Sequence, residues 1–467
     1  MLGGKIIKTL TGLKINLWKD KLSDIKQKYT VDEWLVIGVV LSIFISLYVT
    51  CGVLVGAFIY LVKTGKLKNA IVRVSGSLYI MAFCGLSILV SSYYLNWHGI
   101  LIGIGMSLIF GFGMYVRTVM TKPLLETILK ICCIASIFCC GVAIAQQLVM
   151  AHDASYRASS TFYNANYYAT IIEFVVIFCS YKLMQEHTKK QRLLYIATIL
   201  VNVLGLYLCD CRTVWAAIIA GIVMMLFFAR KYKAILIAIG ASCVFVIALS
   251  FLPSLFPRID SIESSFEVRE SIWITALKGI VANPIFGQGG ATYGQIYSFY
   301  GGHPTFHAHN LFLDPLLNFG IVGTSLLIVY LVRNCYPILK MYTKKTDPQL
   351  FSMLVGILCC VLVHGMMDTT VFWIQTGLLF MILLGSAGIY GNQQVVYDAE
   401  HYRSKVGAHA YSSLNHSRAG HQSRSTMLSE AAAPISPSGK LYKNNRAGKW
   451  AAEDMGKKGR EPRGWIR

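Results

Sequence analysis

The sequence predicts an all-α, polytopic integral membrane helical bundle of about 12 transmembrane helices. Hydrophobic residues make up 55% of the 467 residues and charged residues only 14%, which is far from the composition of a soluble globular domain. Apolar runs of about 20 residues recur along most of the chain, and this is the length that crosses the hydrocarbon core as a helix. Strands of a membrane barrel would be about half as long and would alternate in polarity, so a helical bundle is expected.

Basic residues between the apolar runs set the predicted topology. The first run, 34–62, has lysines on both sides, for example Lys28 and Lys63, so the positive-inside rule predicts a tight hairpin with both flanks in the cytoplasm. The same rule gives twelve spans with both termini cytoplasmic. The spans after the hairpin are expected near 74–95, 99–119, 131–150, 166–184, 193–209, 213–229, 234–252, 310–332, 350–367 and 372–391.

Three parts of the chain are expected to differ in character. Residues 1–30 form a basic, amphipathic cytoplasmic segment without a cleavable signal peptide, and 31–391 form the transmembrane domain. Residues 392–467, rich in Ser, Gly, Lys and Arg, are predicted to be a disordered basic cytoplasmic tail. The net charge of +21 lies mainly in the two ends and the inner loops, so it indicates topology and contact with anionic membrane lipid, and no nucleic acid partner is expected. Most of the thirteen cysteines lie in apolar spans, which favours packing over a disulfide or metal framework.

Polar residues gather at the predicted extracytoplasmic ends of the spans. A charged residue in a membrane segment costs on the order of 3 kcal/mol at mid-bilayer, so such residues usually face a polar cavity. The set predicts a site that opens outward, and Glu173 is expected either to line its floor or to be satisfied by a neighbouring helix. The members of the set are Gln146, Gln147, Asn164, Asn166, Asp210, Arg212, His364 and Asp368.

The longest predicted loop, 253–309, lies on the same side and is expected to carry function. Helical spacing of Phe266, Trp273, Leu277 and Ile280 predicts an amphipathic helix at 264–281 on the membrane interface. On this helix Arg269 is either a snorkelling rim residue or a ligand-binding one. The glycines that follow lack the Lys-Ser/Thr of a P-loop, so nucleotide binding is not expected.

Three histidines close that loop. His303, His307 and His309 could form a metal cluster, but two histidines one residue apart in a loop more often point apart, and no Cys or carboxylate spacing completes a familiar site. A neutral histidine suits proton abstraction, and we therefore expect no metal and no other cofactor.

The motif around His309 resembles the signature of the O-antigen ligase and O-antigen polymerase superfamily. His309-Asn310 is followed after nine residues by Gly320-Ile321-Val322-Gly323, as in that signature. The resemblance covers about 30–391 and is strongest from Ser160 onward. It also includes Cys211-Arg212-Thr213-Val214-Trp215, Arg269-x-x-x-Trp273, Asn283-Pro284-Ile285-Phe286-Gly287-Gln288-Gly289 and Thr161-Phe162-Tyr163-Asn164-Ala165-Asn166-Tyr167. The usual form of the last segment is Gly-Thr-Phe-Gly-Asn-Pro-Asn, and this chain departs from it at Ser160, Tyr163 and Ala165.

The resemblance implies a metal-independent, inverting membrane glycosyltransferase in the bacterial cytoplasmic membrane, with an extracytoplasmic active site for surface polysaccharide biosynthesis. It would take a glycan from undecaprenyl diphosphate and pass it to a glycan or lipid-linked acceptor, with other polysaccharide-assembly proteins as partners. Arg212 and Arg269 would bind the diphosphate, since a planar guanidinium binds phosphate in bidentate fashion. His309 would be the catalytic base, and Asn310, Asp368, His364 and Asn166 would support it.

Two alternatives stay open on the sequence alone. A transporter or flippase of lipid-linked glycans could share the many spans and the outward polar cavity, although the polar residues are one-sided and no internal repeat is visible. Within the superfamily, ligases and polymerases share these motifs, so the acceptor and the sugar are not assigned.

Overall fold

The computed structural model describes residues 29–153, 156–185, 188–251 and 262–390. The predicted amino-terminal segment, the tail 392–467 and the start of the long loop lie outside the described residues, apart from the last residues of the segment. Within the described ranges the regular structure is helical throughout, without strands. The helices, labelled in chain order, are α1 Val31–Ile43, α2 Leu47–Lys63, α3 Lys66–Arg73, α4 Ser77–Tyr93, α5 Trp97–Val119, α6 Lys122–Val149, α7 Ala165–Leu183, α8 Lys189–Cys209, α9 Arg212–Phe228, α10 Tyr232–Phe251, α11 Ile262–Ala282, α12 Tyr293–Ile296, α13 Leu313–Thr343, α14 Pro348–Gly365 and α15 Ile374–Gly385.

Each predicted span overlaps one of these helices, and the first apolar run is divided between α1 and α2 at 44–46. Among the described residues, five helices are long and apolar enough to cross a membrane, namely α5, α6, α8, α13 and α14. The count becomes six if α2 and α3, which are bent by 85° at a short break, form one span. The chain is therefore a helical membrane protein, and the full count of twelve spans stays a prediction.

Helix α7 runs through the middle of the bundle. Nearly all of its side chains are buried, including Tyr168, Phe174 and Phe178, which is typical of a helix that is apolar on every side. It begins at Asn164, whose side chain accepts a hydrogen bond of 3.0 Å from the Tyr167 N–H. Asn164 is thus the N-cap of α7.

Helices α9 and α14 approach each other closely because both carry glycine at the contact. A Cβ on Gly221 would lie 2.8 Å from the carbonyl oxygen of Gly356, and one on Gly356 would lie 3.0 Å from the carbonyl oxygen of Gly221. Small residues allow such contacts between membrane helices. The contact holds the start of α9, with Arg212, beside the end of α14, with His364.

The segment 283–289 and the segment 320–323, each of which contains glycines, contact each other through their backbones. Helix α13 is broken at Gly320 (φ 60°), where the N–H groups of Ile321 and Val322 donate to the carbonyls of Pro284 and Ile285 at 2.8 and 3.0 Å. A Cβ on Gly320 would lie 2.4 Å from the Ile285 backbone. This break fixes the short first part of α13, and therefore the histidines directly before it, against the rest of the bundle.

Helix α11 confirms the predicted helix at 264–281, with slightly wider bounds. Its buried hydrophobic residues include Ile272 and Ala276, which pack against Tyr293, Ala308 and Leu317. The predicted apolar face of this helix is only partly buried, because Phe266 and Leu277 are each 49% exposed.

Candidate active site

His309 lies between the long loop and α13, in a backbone conformation that is uncommon for a residue with a side chain. Its φ is 45°, in the left-handed region, and such strain often marks functional positions. The imidazole Nδ1 lies 3.2 Å from Oδ1 of Asp368, and Nε2 lies 3.2 Å from the hydroxyl of Thr305. The Nδ1 contact is within ion-pair distance but lacks the alignment of a straight hydrogen bond.

Asp368 is the buried partner of this histidine. Oδ1 also accepts a 2.7 Å hydrogen bond from the N–H of Thr369, and Oδ2 accepts one of 2.6 Å from Nδ2 of Asn166. Burial acts to raise the pKa of the carboxyl, but the contact with His309 and the charges of the nearby histidines outweigh it, and the net shift is downward. Asp368 is therefore an anion at neutral pH, as the partner of a base should be.

His307 lies against His309 instead of pointing away from it. The ring centroids are 4.1 Å apart, and Nδ1 of His307 accepts a 3.3 Å hydrogen bond from the N–H of His309. The expectation that the two side chains point apart was wrong, because the left-handed turn at His309 folds them onto the same side. Burial, and then the neighbouring His309, lower the pKa of His307 to about 4.

His307, His309 and Asp368 also offer one ligand atom each within 4.8 Å of one another. Two imidazoles and a carboxylate are ligand types that several transition metals accept. The Nδ1 atom of His307 accepts a hydrogen bond from the backbone N–H of His309. This hydrogen bond uses the lone pair that Nδ1 would otherwise offer to a metal. The absence of a metal stays a prediction.

A hydrogen-bonded chain continues from Asp368 to an arginine that the sequence analysis missed. Asn166 donates to Asp368, and its Oδ1 accepts a 2.6 Å hydrogen bond from Nη2 of Arg157. Arg157 also donates from Nε to the carbonyl of Cys209 at 2.9 Å. A signal was present in the sequence: Arg157 is a basic residue on a predicted outer loop, where the positive-inside rule disfavours one.

Three arginines line one cavity of about 380 Å³. The guanidinium of Arg269, on α11, donates to the carbonyls of Met367 and Ser265, at 3.2 Å each. Nε of Arg212, at the start of α9, lies 3.8 Å from Asp210. The structure thus brings together Arg212 and Arg269, which are far apart in the sequence, and adds Arg157. The remaining lining residues are Asn166, Asp210, Cys211, Thr213, Ser265, Phe266 and Met367.

The side chain of Asn310 forms hydrogen bonds with the backbone of two segments. Its Oδ1 accepts from the N–H groups of Phe312 and Leu313 at 2.9 and 3.0 Å, which caps the start of α13, and its Nδ2 donates to the carbonyl of Met366 at 3.0 Å. It therefore joins the segment that bears His309 to the segment that bears Asp368. Support of His309 by Asn310 would act through the backbone.

His364 is buried one turn before Asp368. Its Nδ1 lies 3.1 Å from Oε2 of Glu173, and its Nε2 lies 3.9 Å from Sγ of Cys211. The carbonyl of His364 accepts hydrogen bonds from the N–H groups of Met367 and Asp368 at 3.0 and 3.1 Å. Glu173 is fully buried, so of the two expectations for it the neighbouring-helix partner holds.

Residues 196–328 match the family model described as O-antigen ligase. The match covers less than half of the chain and supports membership of the O-antigen ligase and polymerase superfamily. A comparison with curated proteins found no match. The matched segment contains Arg212, Arg269 and His309, whereas Asn166 and Asp368 lie outside it. The fold therefore brings residues from outside the matched segment into contact with those within it.

Proposed function

We propose that the protein transfers a glycan from undecaprenyl diphosphate to a sugar hydroxyl of an acceptor, at the outer face of the bacterial cytoplasmic membrane. The observation that carries the proposal is the combination of an arginine-lined cavity and a histidine–carboxylate pair that share Asn166 and the 366–368 turn. A diphosphate leaving group needs cations, and an attacking hydroxyl needs a base. Both are present within one continuous set of contacts.

In this scheme His309 acts as the general base. The contact with Asp368 favours the tautomer with the proton on Nδ1, which leaves the Nε2 lone pair for the hydroxyl of the acceptor. As the acceptor oxygen attacks the anomeric carbon, its proton passes to Nε2, and the imidazolium is stabilised by the Asp368 carboxylate. Base catalysis of this kind contributes about 10²–10⁴-fold in rate.

Arg212 and Arg269 bind the departing diphosphate. The bond between the anomeric carbon and the diphosphate oxygen breaks as the new bond forms on the opposite side, so the configuration inverts. The negative charge that develops on the diphosphate is stabilised by guanidinium groups held in place before the reaction, which is an efficient form of transition-state stabilisation. Cations of this kind can serve in place of a metal, and we propose that transfer is metal-independent.

The test is a transfer assay with purified protein in vesicles that contain a lipid-linked glycan donor and an acceptor. His309→Ala should lower transfer by at least about 100-fold, whereas His98→Ala, an exposed histidine at the start of α5, should transfer like the wild type. EDTA should leave the wild-type rate unchanged. Wild-type activity in His309→Ala would remove the base assignment. Translocation of the lipid-linked glycan without any transfer would favour the flippase alternative.

A further inference from the structure

Tyr163 and Trp373 form an aromatic surface on the two segments that also carry Asn166 and Asp368. Their ring centroids lie 5.1 Å apart with an angle of 33° between the planes, and Trp373 stacks in turn on Tyr167 at 4.7 Å and 10°. Tyr167 is buried, whereas Tyr163 is 67% exposed. One end of this stack is therefore anchored in the bundle and the other end is open.

Tyr163 lies in the loop between α6 and α7. The loop that carries it is held by two hydrogen bonds between the Gln146 side chain and the Ser160 backbone, at 2.8 and 2.9 Å. The ring is thus presented from a fixed loop.

Both rings are tied to the catalytic pair through short stretches of backbone. Tyr163 lies three residues before Asn166, whose side chain donates to Asp368, and Trp373 lies five residues after Asp368. Neither ring lines the cavity that holds Arg157, Arg212 and Arg269. The aromatic surface is therefore joined through short backbone segments to Asn166 and Asp368, and it is not part of the lining of the proposed diphosphate site.

The chemistry of an open aromatic face suits a sugar ring. The face of an aromatic ring carries partial negative charge, and one side of many pyranose rings presents C–H groups with partial positive charge and little polarity. Stacking buries apolar area on both partners while the sugar hydroxyls stay in water. Tyrosine and tryptophan lose little side-chain entropy in such contacts, because each has only two side-chain torsions.

We infer that Tyr163 and Trp373 form a binding subsite for a sugar ring of the acceptor. The inference rests on the proposed function. In an inverting displacement the attacking group and the leaving group lie on opposite sides of the anomeric carbon, so the acceptor subsite is expected outside the arginine cavity, and neither ring lines that cavity. Tyr163 is then a residue that sets acceptor specificity, added to a site whose catalytic groups are elsewhere.

The experiment measures KM and kcat for acceptor and donor separately, in the vesicle assay. Tyr163→Gly removes the ring and should raise the acceptor KM by roughly three- to tenfold, the size of one aromatic contact, with kcat and donor KM changed by less than about twofold. Tyr163→Phe keeps the ring face and should stay within about twofold of the wild type.

The control is Tyr93→Ala. Tyr93 is 82% exposed and packs edge-on against Tyr94, with centroids 5.2 Å apart, so it represents an aromatic of the membrane interface. Its removal should leave all constants unchanged. An unchanged acceptor KM in Tyr163→Gly, or a rise confined to the donor KM, overturns the inference while the wild-type transferase activity stands. Failure of the wild type to transfer any glycan would instead remove the proposed function itself.

Discussion

Two histidine–carboxylate pairs of almost equal length occupy this bundle, and they differ in access. His309 and Asp368 are 3.2 Å apart with side-chain exposures of 24% and 4%, whereas His364 and Glu173 are 3.1 Å apart with exposures of 1% and 0%. The open pair borders a loop, and the closed pair joins two helices, α7 and α14. The same two kinds of side chain can thus serve a substrate or a helix contact.

The difference lies in what the second ring nitrogen can reach. Nε2 of His309 contacts the hydroxyl of Thr305. The hydroxyl group of a substrate can replace that partner. Nε2 of His364 faces Sγ of Cys211 in the interior. Accessibility of the second nitrogen, more than the presence of a carboxylate, separates a candidate base from a structural histidine.

The largest effect on specific activity, after loss of His309 itself, is expected at Asp368. Asp368→Asn can keep the hydrogen bond from the Thr369 N–H and removes the charge, so the imidazolium formed during transfer loses its counter-ion. We expect kcat to fall on the order of 100-fold, measured in the vesicle transfer assay. The hypothesis of a carboxylate-assisted base fails if kcat stays within about threefold of the wild type.

Next in size are the arginines beside the open pair. Arg212→Lys and Arg269→Lys keep the positive charge but lose the planar fork, and hydrogen bonds to charged groups are worth about 1.5–3 kcal/mol. Each variant should therefore transfer roughly tenfold more slowly or worse. Lys122→Arg, at an exposed ion pair with Asp347, is the matched exchange outside the site. Wild-type rates in both Arg→Lys variants would show that bidentate geometry is not used.

The closed pair should affect stability more than activity. Glu173→Gln leaves His364 without its buried carboxylate, and loss of one member of a buried pair typically costs about 3–5 kcal/mol of stability. We expect a clearly lower unfolding temperature in detergent, with specific activity per folded molecule within about threefold. A loss of activity as large as that of Asp368→Asn, at unchanged stability, would mean that the closed pair takes part in the reaction.

The smallest expected effect is a change in the pH dependence of stability at His307. Its pKa is about 4 in the folded protein and about 6.5 in an unfolded chain. The unfolded state therefore binds a proton first, and stability is lost as the pH falls from about 6.5 towards 4 and is unaffected above that range. His307→Gln should show a flatter unfolding temperature across this interval. An identical slope in the variant and the wild type contradicts the burial of a neutral His307.

Local patterns predicted the helices well and the contacts between loops poorly. Every predicted span overlaps a helix, because hydropathy over about 20 residues is a local property. The predicted orientation of His307 was wrong, because it assumed ordinary backbone where His309 has a φ of 45°. Arg157 was missed because it lies in none of the recognised motifs. Its hydrogen bond to Asn166 and its place in the cavity wall are visible only in the folded structure.

The resemblance predicted the residue types of the site but not the reason for their spacing. The positions of Gly287 and Gly320 follow from a backbone contact: a Cβ on Gly287 would lie 2.4 Å from the carbonyl oxygen of Asn318, and one on Gly320 the same distance from that of Ile285. Two motifs separated in sequence are therefore two halves of one contact. That contact sets the start of α13 and thereby His309.

By itself the sequence determined that this chain is a helical membrane protein, and it supplied His309, Arg212 and Arg269 as candidates. The length of an apolar run, the charges that flank it and a short motif are local properties of the sequence, so they can be recognised without a structure. Only the tertiary structure decided that Asp368 faces His309 while Glu173 faces His364, and that Asn166 and Arg157 are hydrogen-bonded in series to Asp368. The physical reason is that pairing and access depend on helix packing, in which residues far apart in sequence meet.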